Sequence, residues 1–334
     1  MSPPLEFAIF GAGRIGAIHA ANAAAHTGAH LNCVVDVNAA AAEALAKKHG
    51  ARVLPDVDAA LKDPAIGAVI IASSTDTHVD LITRSARAGK AIFCEKPIDL
   101  DLGKVDACLK EVEKAGVPLL IGFNRRYDPS FRSLYDGMQA GLIGKLEQVT
   151  IISRDPRPPP PAYVKVSGGL FRDMMIHDFD TARWLLGEEP VEVFASASVL
   201  VDKAIGDAGD VDSAMVQMRT ASGKLCHIQN SRRATYGYDQ RIEVFGEKGM
   251  LQAGNKVETT VVRSGADGVT GTRPLDFFLE RYADAYRVEM NHFVTAVREK
   301  KPMWTGAKDG RQALVLAEAA LESLKTRKPV EPKR

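Results

Sequence analysis

Three consecutive residues, Glu95, Lys96 and Pro97, directly follow an apolar run and include a side chain suited to alcohol chemistry. A lysine at the end of a buried strand can donate to a substrate hydroxyl and stabilise an alkoxide as hydride leaves. The alternative is a solvated surface lysine, which the position between an apolar strand and a proline disfavours. The residue types therefore favour Lys96 as a catalytic residue acting on a hydroxyl group.

A second candidate lies in the segment 168–178, GGLFRDMMIHD. If residues 173–186 form one helix, Asp173 and His177 are four positions apart and share a face, with Asp180 close to it. Histidine is the natural general base near neutral pH, and a carboxylate can orient its ring. The alternatives are a structural helix histidine or half of a metal site. Since no further His or Cys stands at ligand spacing, we expect no metal.

A phosphate-binding turn is indicated by the GAGRIG hexapeptide of residues 11–16, which follows a strand and opens a helix. Glycine permits the tight turn, close approach of the backbone to a diphosphate, and close packing of helix on strand. The helix N-terminus offers free N–H groups to phosphate. The alternative is an ordinary glycine-rich turn. The predicted cofactor contacts here are Gly11, Gly13, Arg14, Ile15 and Gly16.

Asp36 ends the second predicted strand and can accept hydrogen bonds from both ribose hydroxyls of NAD. It would repel a 2′-phosphate, and no arginine follows it, so NAD is favoured over NADP. Asp36 could instead cap the next helix. His78 could likewise begin a helix without any role in chemistry. Further cofactor contacts are predicted after the fourth and fifth strands, at Ser73, Thr75, His78 and Glu95.

The elements that must position these residues alternate between strand and helix in the first third of the chain. Strands are predicted at residues 5–10, 31–35, 52–54, 68–72, 91–94 and 119–122. Helices are predicted at residues 14–26, 39–49, 77–88 and 102–115. Repeated strand–helix units of this kind predict a doubly wound parallel, Rossmann-type sheet. We assign residues 1–123 to this NAD-binding domain.

Beyond residue 123 strand-like segments follow one another, at 146–154, 191–200, 211–220, 224–231, 240–245 and 256–262. Helices are expected at 128–140, 173–186, 280–299 and 307–325. This pattern predicts an α+β domain with a large, mostly antiparallel sheet over residues 124–334. The proline-rich stretch 155–161 favours an extended, stiff loop, with a recognition segment for another protein as the alternative.

The chain totals exclude several classes of protein. Lys+Arg 43 against Asp+Glu 42 gives no basic excess for nucleic acid or an anionic membrane. The four cysteines form no CxxC pair or metal spacing, and three lie in apolar runs, as reduced buried thiols do. The N-terminus lacks the pattern of a signal peptide, and no run of about 20 apolar residues occurs. We therefore expect a cytoplasmic protein with no nucleic-acid or membrane partner.

Taken together, AIFGAGRIG, CEKP, GGLFRDMMIHDFD and DGRQALVLAEAALES resemble the glucose–fructose oxidoreductase, inositol dehydrogenase and rhizopine catabolism family. The resemblance covers nearly the whole chain. Three further segments, GFNRRYDPSF, ATYGYDQRIEVFGEKG and ERYADAYRVEM, are most similar to its inositol 2-dehydrogenase branch. It implies NAD-dependent oxidation of a ring hydroxyl of a cyclic polyol, with myo-inositol as the leading substrate and 2-keto-myo-inositol as product.

The same resemblance implies roles for individual residues. His177 would take the hydroxyl proton, Lys96 would polarise the oxygen, and Asp173 would contact substrate and histidine. The implied substrate-binding residues are Asn124, Arg126, Tyr238 and Tyr286, although both tyrosines could be ordinary packing residues. A homotetramer assembled through the sheets of the second domain is also implied. The alternatives are a dehydrogenase of another inositol isomer or aldose sugar, or a non-catalytic NAD-sensing regulator.

Overall fold

The structure is a computed structural model that describes residues 3–333, and the chain divides into two compact units. The first unit contains the chain up to Tyr127 together with Ala285–Arg311. The second contains Asp128–Asp284 and the chain from Gln312 onward. Each unit has its own six-stranded sheet.

The strands and helices are numbered in chain order. The strands are β1 (Leu5–Phe10), β2 (Ala29–Val35), β3 (Arg52–Val53), β4 (Ala68–Ile71), β5 (Ala91–Cys94), β6 (Leu119–Ile121), β7 (Leu146–Arg154), β8 (Pro190–Ser198), β9 (Ser213–Thr220), β10 (Leu225–Ser231), β11 (Asp239–Gly246), β12 (Gly249–Ala253), β13 (Val262–Gly265) and β14 (Gly268–Gly271). The helices are α1 (Arg14–Ala25), α2 (Ala39–His49), α3 (Val57–Lys62), α4 (His78–Arg87), α5 (Leu102–Ala115), α6 (Pro129–Gln139), α7 (Pro161–Ser167), α8 (Gly169–Asp173), α9 (Ile176–Leu186), α10 (Lys203–Asp207), α11 (Phe278–Arg281), α12 (Ala283–Glu299) and α13 (Ala307–Thr326).

The sheet of the first unit has the order β3-β2-β1-β4-β5-β6, with every strand pair parallel. Strands β4 and β5 are buried at every position, which is why their sequences are continuous apolar runs rather than alternating ones. Their carboxyl ends lie at one edge, where doubly wound sheets bind ligands. The predicted Rossmann sheet is confirmed.

Helix α12 supplies part of the core of the first unit, although it comes late in the chain. Phe293 contacts the rings of Phe7 and Phe93, with ring centroids 5.9 and 5.6 Å away, and Met290 and Val294 join the same apolar cluster. The predicted division at residue 123 placed this helix in the second domain. The structure differs because the apolar face of α12 is buried against the parallel sheet.

The sheet of the second unit has the order β12-β11-β7-β10-β9-β8. All neighbouring pairs are antiparallel except β7 with β10, so the prediction of a mostly antiparallel sheet is confirmed. Buried and exposed residues alternate along β9 and β10, as in a sheet with one covered face. The strand predicted at 256–262 is wrong. A tight turn between Gly246 and Gly249 instead returns the chain at once to pair with β11.

The helix predicted over residues 173–186 is also wrong as a single element. The amides of Met174 and Met175 both donate to the carbonyl of Leu170, at 3.0 and 2.9 Å, which ends α8 and offsets the start of α9. Asp173 therefore closes one helix and His177 lies in the first turn of the next. Their spacing is set by this junction and not by one regular helical turn.

Within residues 3–333, no helix combines the length and apolar character needed to cross a membrane. In the same part of the chain, no three His, Cys, Asp or Glu side chains converge on a point that could hold a metal ion. All four cysteines are buried thiols, and burial raises the pKa of Cys33 to about 11.

Candidate active site

The glycine turn after β1 has almost no room for side chains. Gly11 has φ +106°, and a Cβ there would lie 2.5 Å from the carbonyl oxygen of Ala72. A Cβ on Gly16 would lie 2.0 Å from the carbonyl oxygen of Gly11. The turn after β1, the loop after β4 and the first turn of α1 therefore pack backbone against backbone, as a dinucleotide-binding turn requires.

Gly13 differs from its neighbours because it faces open space. Apart from the residues adjacent to it in sequence, no described residue has a heavy atom within 4 Å of the position that its Cβ would take. Gly13 is also the N-cap of α1, where no side chain of the described residues caps the helix and no acidic residue occupies the first turn. The free N–H groups and the positive end of the helix dipole suit a diphosphate, so this turn fits an NAD cofactor.

The carboxylate of Asp36 is held in a fixed orientation at the end of β2. One oxygen accepts from the N–H of Ala12 at 2.5 Å, and the other accepts from the N–H of Asn38 at 2.7 Å. The helix cap is Asn38, which accepts from Ala41, and so the alternative of Asp36 as the N-cap of α2 does not hold. Asp36 is half-buried beside the glycine turn, as its predicted role in ribose binding requires.

His78 links the two loops that follow β4 and β5. Its Nδ1 lies 2.7 Å from the carbonyl oxygen of Pro97, and its Nε2 lies 3.2 Å from that of Ser73. The ring is buried, and burial lowers its pKa. His78 thus connects the loop of Ser73 and Thr75 to the loop of Lys96. These contacts match the alternative of a structural histidine at the start of a helix, and a direct contact with cofactor stays a prediction.

Glu95 and Lys96 follow β5 at the carboxyl edge of the parallel sheet, and both are half-buried. The Nε2 of His19 lies 2.7 Å from a carboxylate oxygen of Glu95, and the Lys96–Pro97 peptide is cis. Glu289 on α12 is fully buried, and its two carboxylate oxygens have no hydrogen-bond partner among the described residues. Burial, together with the negative charge of Glu95, raises the pKa of Glu289 well above its usual value.

In the second unit, Asp173 lies within a cluster of polar side chains. The hydroxyl of Tyr163 donates to one carboxylate oxygen at 2.9 Å, and the guanidinium of Arg232 donates to the other at 3.1 Å. Arg232 also donates to Asp155 at 3.2 Å. Burial opposes the charge of Arg232, but the two carboxylates outweigh this effect and raise its pKa. Burial and then the charge of Asp173 raise the pKa of Tyr163.

His177 is half-buried in the first turn of α9, and its carbonyl accepts from the hydroxyl of Thr181 at 2.8 Å. The acidic residues that follow it are buried. Asp178 accepts from Asn230 at 2.9 Å, and Asp180 lies 3.8 Å from the guanidinium of Arg183. Asp178 and Asp180 are fully buried, whereas Asp173 is 9% exposed and His177 is half-buried, so Asp173 and His177 are the better candidates for chemistry.

The four predicted substrate-binding residues fall into both units. In the first, Asn124 is buried and Arg126 donates to the carbonyl of Trp304 at 3.0 Å and to Asp309 at 2.7 Å. Tyr286, also in the first unit, is buried with its ring centroid 5.7 Å from that of His19. In the second unit, Tyr238 is buried among the rings of Phe277 and Tyr282. Substrate contact by any of the four stays a prediction.

Several residues of these clusters were missed by sequence reasoning. They are His19, Asp155, Tyr163, Arg232 and Glu289. The only signal for two of them was the proline-rich stretch, which lies between Asp155 and Tyr163. His19 and Glu289 lie in helices and Arg232 lies in the connection after β10, and at each of these positions the sequence alone predicts an ordinary surface residue.

Comparison with known proteins identifies the family. Residues 5–123 match the oxidoreductase family with an NAD-binding Rossmann fold, and residues 131–252 match the GFO/IDH/MocA C-terminal domain. The chain is 51% identical over 326 residues to an inositol 2-dehydrogenase of Rhizobium meliloti, covering 98% of each chain. It is 47% identical to a myo-inositol 2-dehydrogenase of Thermotoga maritima, again covering 98% of each.

Among solved structures, the chain is similar to a scyllo-inositol dehydrogenase from Lactobacillus casei with bound NAD(H) and scyllo-inositol. The TM-score is 0.91 at 30% identity, covering 98% of this chain and 99% of that one. The matches cover nearly the whole chain, and the parallel sheet and the glycine turn with Asp36 are what an NAD-binding Rossmann fold requires. The chain belongs to the GFO/IDH/MocA family of NAD-binding oxidoreductases.

Proposed function

We propose that this protein is an NAD-dependent inositol 2-dehydrogenase that oxidises myo-inositol to 2-keto-myo-inositol. The observation that carries the proposal is the full-length identity of 51% to a protein of that name. The glycine turn and the fixed carboxylate of Asp36 support NAD as the cofactor. When bound, NAD supplies the nicotinamide that accepts the hydride.

The proposed mechanism assigns one task to each of three side chains. His177 takes the proton of the reacting hydroxyl as general base. The ammonium of Lys96 polarises the hydroxyl oxygen and stabilises the negative charge that develops on it. Asp173, held by Tyr163 and Arg232, accepts a hydrogen bond from the substrate and favours the protonated form of His177. Orientation of the substrate by these side chains lowers the entropic part of the barrier.

A different inositol isomer is the second candidate substrate. It is favoured by the similarity to the scyllo-inositol dehydrogenase of Lactobacillus casei. Isomers differ only in the orientation of single hydroxyl groups, and a site that hydrogen-bonds each hydroxyl discriminates strongly between them.

The test is to follow NADH absorbance with myo-inositol, scyllo-inositol, D-chiro-inositol, glucose and galactose, and then to repeat the series with NADP. We expect turnover of myo-inositol with NAD. Turnover of another ring would keep the mechanism and change the substrate, whereas NAD binding without turnover of any of the five would favour a regulator.

Oxidation should also become faster between about pH 5 and 8, where imidazole loses its proton. A flat profile would contradict the role of His177.

We also propose that the protein is a homotetramer assembled through the exposed face of the sheet in the second unit. Large apolar side chains lie on this face, although exposed positions of a solvated sheet are usually polar. They are Phe194, Met215, Leu225, Phe245 and Met250. Light scattering of the Met215→Glu variant should show that the tetramer dissociates.

The four buried thiols support the expected cytoplasmic location.

A further inference from the structure

The segment from Asp155 to Tyr163 has a role that neither the family match nor the proposed mechanism assigns. It leaves β7, runs through consecutive prolines, and enters α7. The carboxylate at its start accepts from Arg232 at 3.2 Å, and the hydroxyl at its end donates to Asp173 at 2.9 Å. Prolines limit the backbone to an extended conformation, so the segment fixes the separation of its two ends.

Arg232 completes this arrangement from the connection that follows β10. It is 5% exposed, and its backbone N–H donates to the carbonyl of Asp212 at 2.8 Å. Its two terminal nitrogens donate to different carboxylates, those of Asp155 and Asp173. A buried guanidinium is strongly unfavourable unless it is paired, and removing one partner leaves an uncompensated charge. Asp155 therefore stabilises the orientation in which Arg232 reaches Asp173.

We propose that Asp155, Tyr163 and Arg232, here named the Asp173 clamp, are positioning residues that orient the Asp173 carboxylate for the oxidation of the substrate hydroxyl. The inference rests on the proposed function of Asp173.

The chemistry of a carboxylate explains why such a clamp is useful. An ionised carboxylate has about four sites for accepting hydrogen bonds on its two oxygens. Tyr163 occupies one on the first oxygen and Arg232 one on the second. Contacts on both oxygens restrict rotation of the carboxylate, so the clamp sets the direction from which a substrate hydroxyl can donate to it. Burial, and then the negative charge of Asp173, raise the pKa of Tyr163, so its hydroxyl stays a donor.

The test is a double-mutant cycle on the full-length enzyme with Tyr163→Phe, Asp173→Asn and the double variant. Tyr163→Phe removes one hydrogen bond to a charged group, and kcat/KM for the polyol should fall roughly 10-fold to 100-fold. In the Asp173→Asn background the same change should have little further effect, because its target is already altered. Asp155→Asn, which weakens the pairing of Asp155 with Arg232, should lower kcat/KM in the same direction.

The matched control is Tyr236→Phe. Tyr236 is 44% exposed against 46% for Tyr163, and its hydroxyl also donates to an aspartate, Asp239 at 2.5 Å. It should leave kcat/KM unchanged, whereas an equal loss in both tyrosine variants would overturn the proposal. Additive losses from Tyr163→Phe and Asp173→Asn would also overturn it. The same cycle read as free energy of unfolding should show coupling between the two residues even if no polyol is turned over, which separates failure of the clamp from failure of the proposed function.

Discussion

The two candidate regions use opposite kinds of chemistry. The turn of the first unit offers backbone N–H groups, and Gly11 and Gly16 leave no space for a Cβ. The Asp173 region of the second unit consists of charged and hydroxyl side chains that bind one another. Backbone groups suit a cofactor that is the same in every turnover, whereas side chains can differ between proteins of one fold and so fit different substrates. We therefore expect the choice of substrate to depend on side chains, those of the Asp173 region among them.

The largest expected effect comes from removing a reacting side chain of the second unit. His177→Ala should lower kcat by roughly 10²-fold to 10⁴-fold, the range for a lost general base. The dissociation constant for NAD should not change, because the glycine turn lies in the other unit. Steady-state turnover measures kcat, and displacement of fluorescent NADH by NAD measures the dissociation constant for NAD. His227→Ala, a half-buried histidine of β10, is the control, and equal losses in both variants would contradict the assignment.

A smaller effect should separate two glycines of the backbone region. Gly16→Ala places a Cβ against the carbonyl of Gly11, so we expect a loss of about 1–3 kcal/mol in the free energy of unfolding and weaker NAD binding. Gly13→Ala should weaken NAD binding with unchanged stability, since its Cβ meets no described atom within 4 Å. Urea unfolding and NAD titration distinguish them. Similar stability losses in both would show that the turn is only a packing element.

The next effect concerns Asp36, whose carboxylate accepts from an N–H of the glycine turn. Asp36→Ala removes the carboxylate expected to bind the ribose, so the ratio of kcat/KM for NAD to that for NADP should fall by about 10-fold. Asp56→Ala is the matched control, because it removes an aspartate that caps α3 in the same unit. It should lower stability and leave the cofactor preference unchanged. An unchanged preference in Asp36→Ala would assign the selection of NAD to other groups.

The smallest effect concerns Glu289, a titratable side chain buried in the first unit. It would show that the first unit, too, contains an ionisable side chain that matters for the protein, and not only backbone groups. The pKa of Glu289 is raised on folding, so the folded state holds a proton that the unfolded state loses above its ordinary pKa of 4.5. Stability should therefore fall as pH rises from that value toward the raised pKa. Glu289→Gln should reduce this slope in thermal unfolding between pH 5 and 8 (about the neutral range). Glu299→Gln, exposed on the same helix, should retain it.

The contrast between the glycine turn and the Asp173 clamp also explains how much of the fold and of the candidate site could be predicted from the sequence. The parallel sheet, the glycine turn and Asp36 follow from local patterns, because residues that act together there are near in sequence or lie at neighbouring strand ends. The clamp does not, since Arg232 reaches Asp173 across 59 residues of chain. The break between α8 and α9 depends on two amides that share the carbonyl of Leu170. No residue periodicity signals that junction, so the predicted continuous helix was wrong.

The late position of α12 has a consequence for biosynthesis. The nucleotide-binding sheet is translated within the first 121 residues, yet Met290, Phe293 and Val294 complete its apolar core. A ribosome must therefore add the whole second sheet before the first unit can complete its core. Until then the nascent chain exposes apolar strands that are prone to aggregation. A fragment ending at Tyr127 should accordingly depend on chaperones, and swapping the first unit between relatives requires transplanting α12 with it.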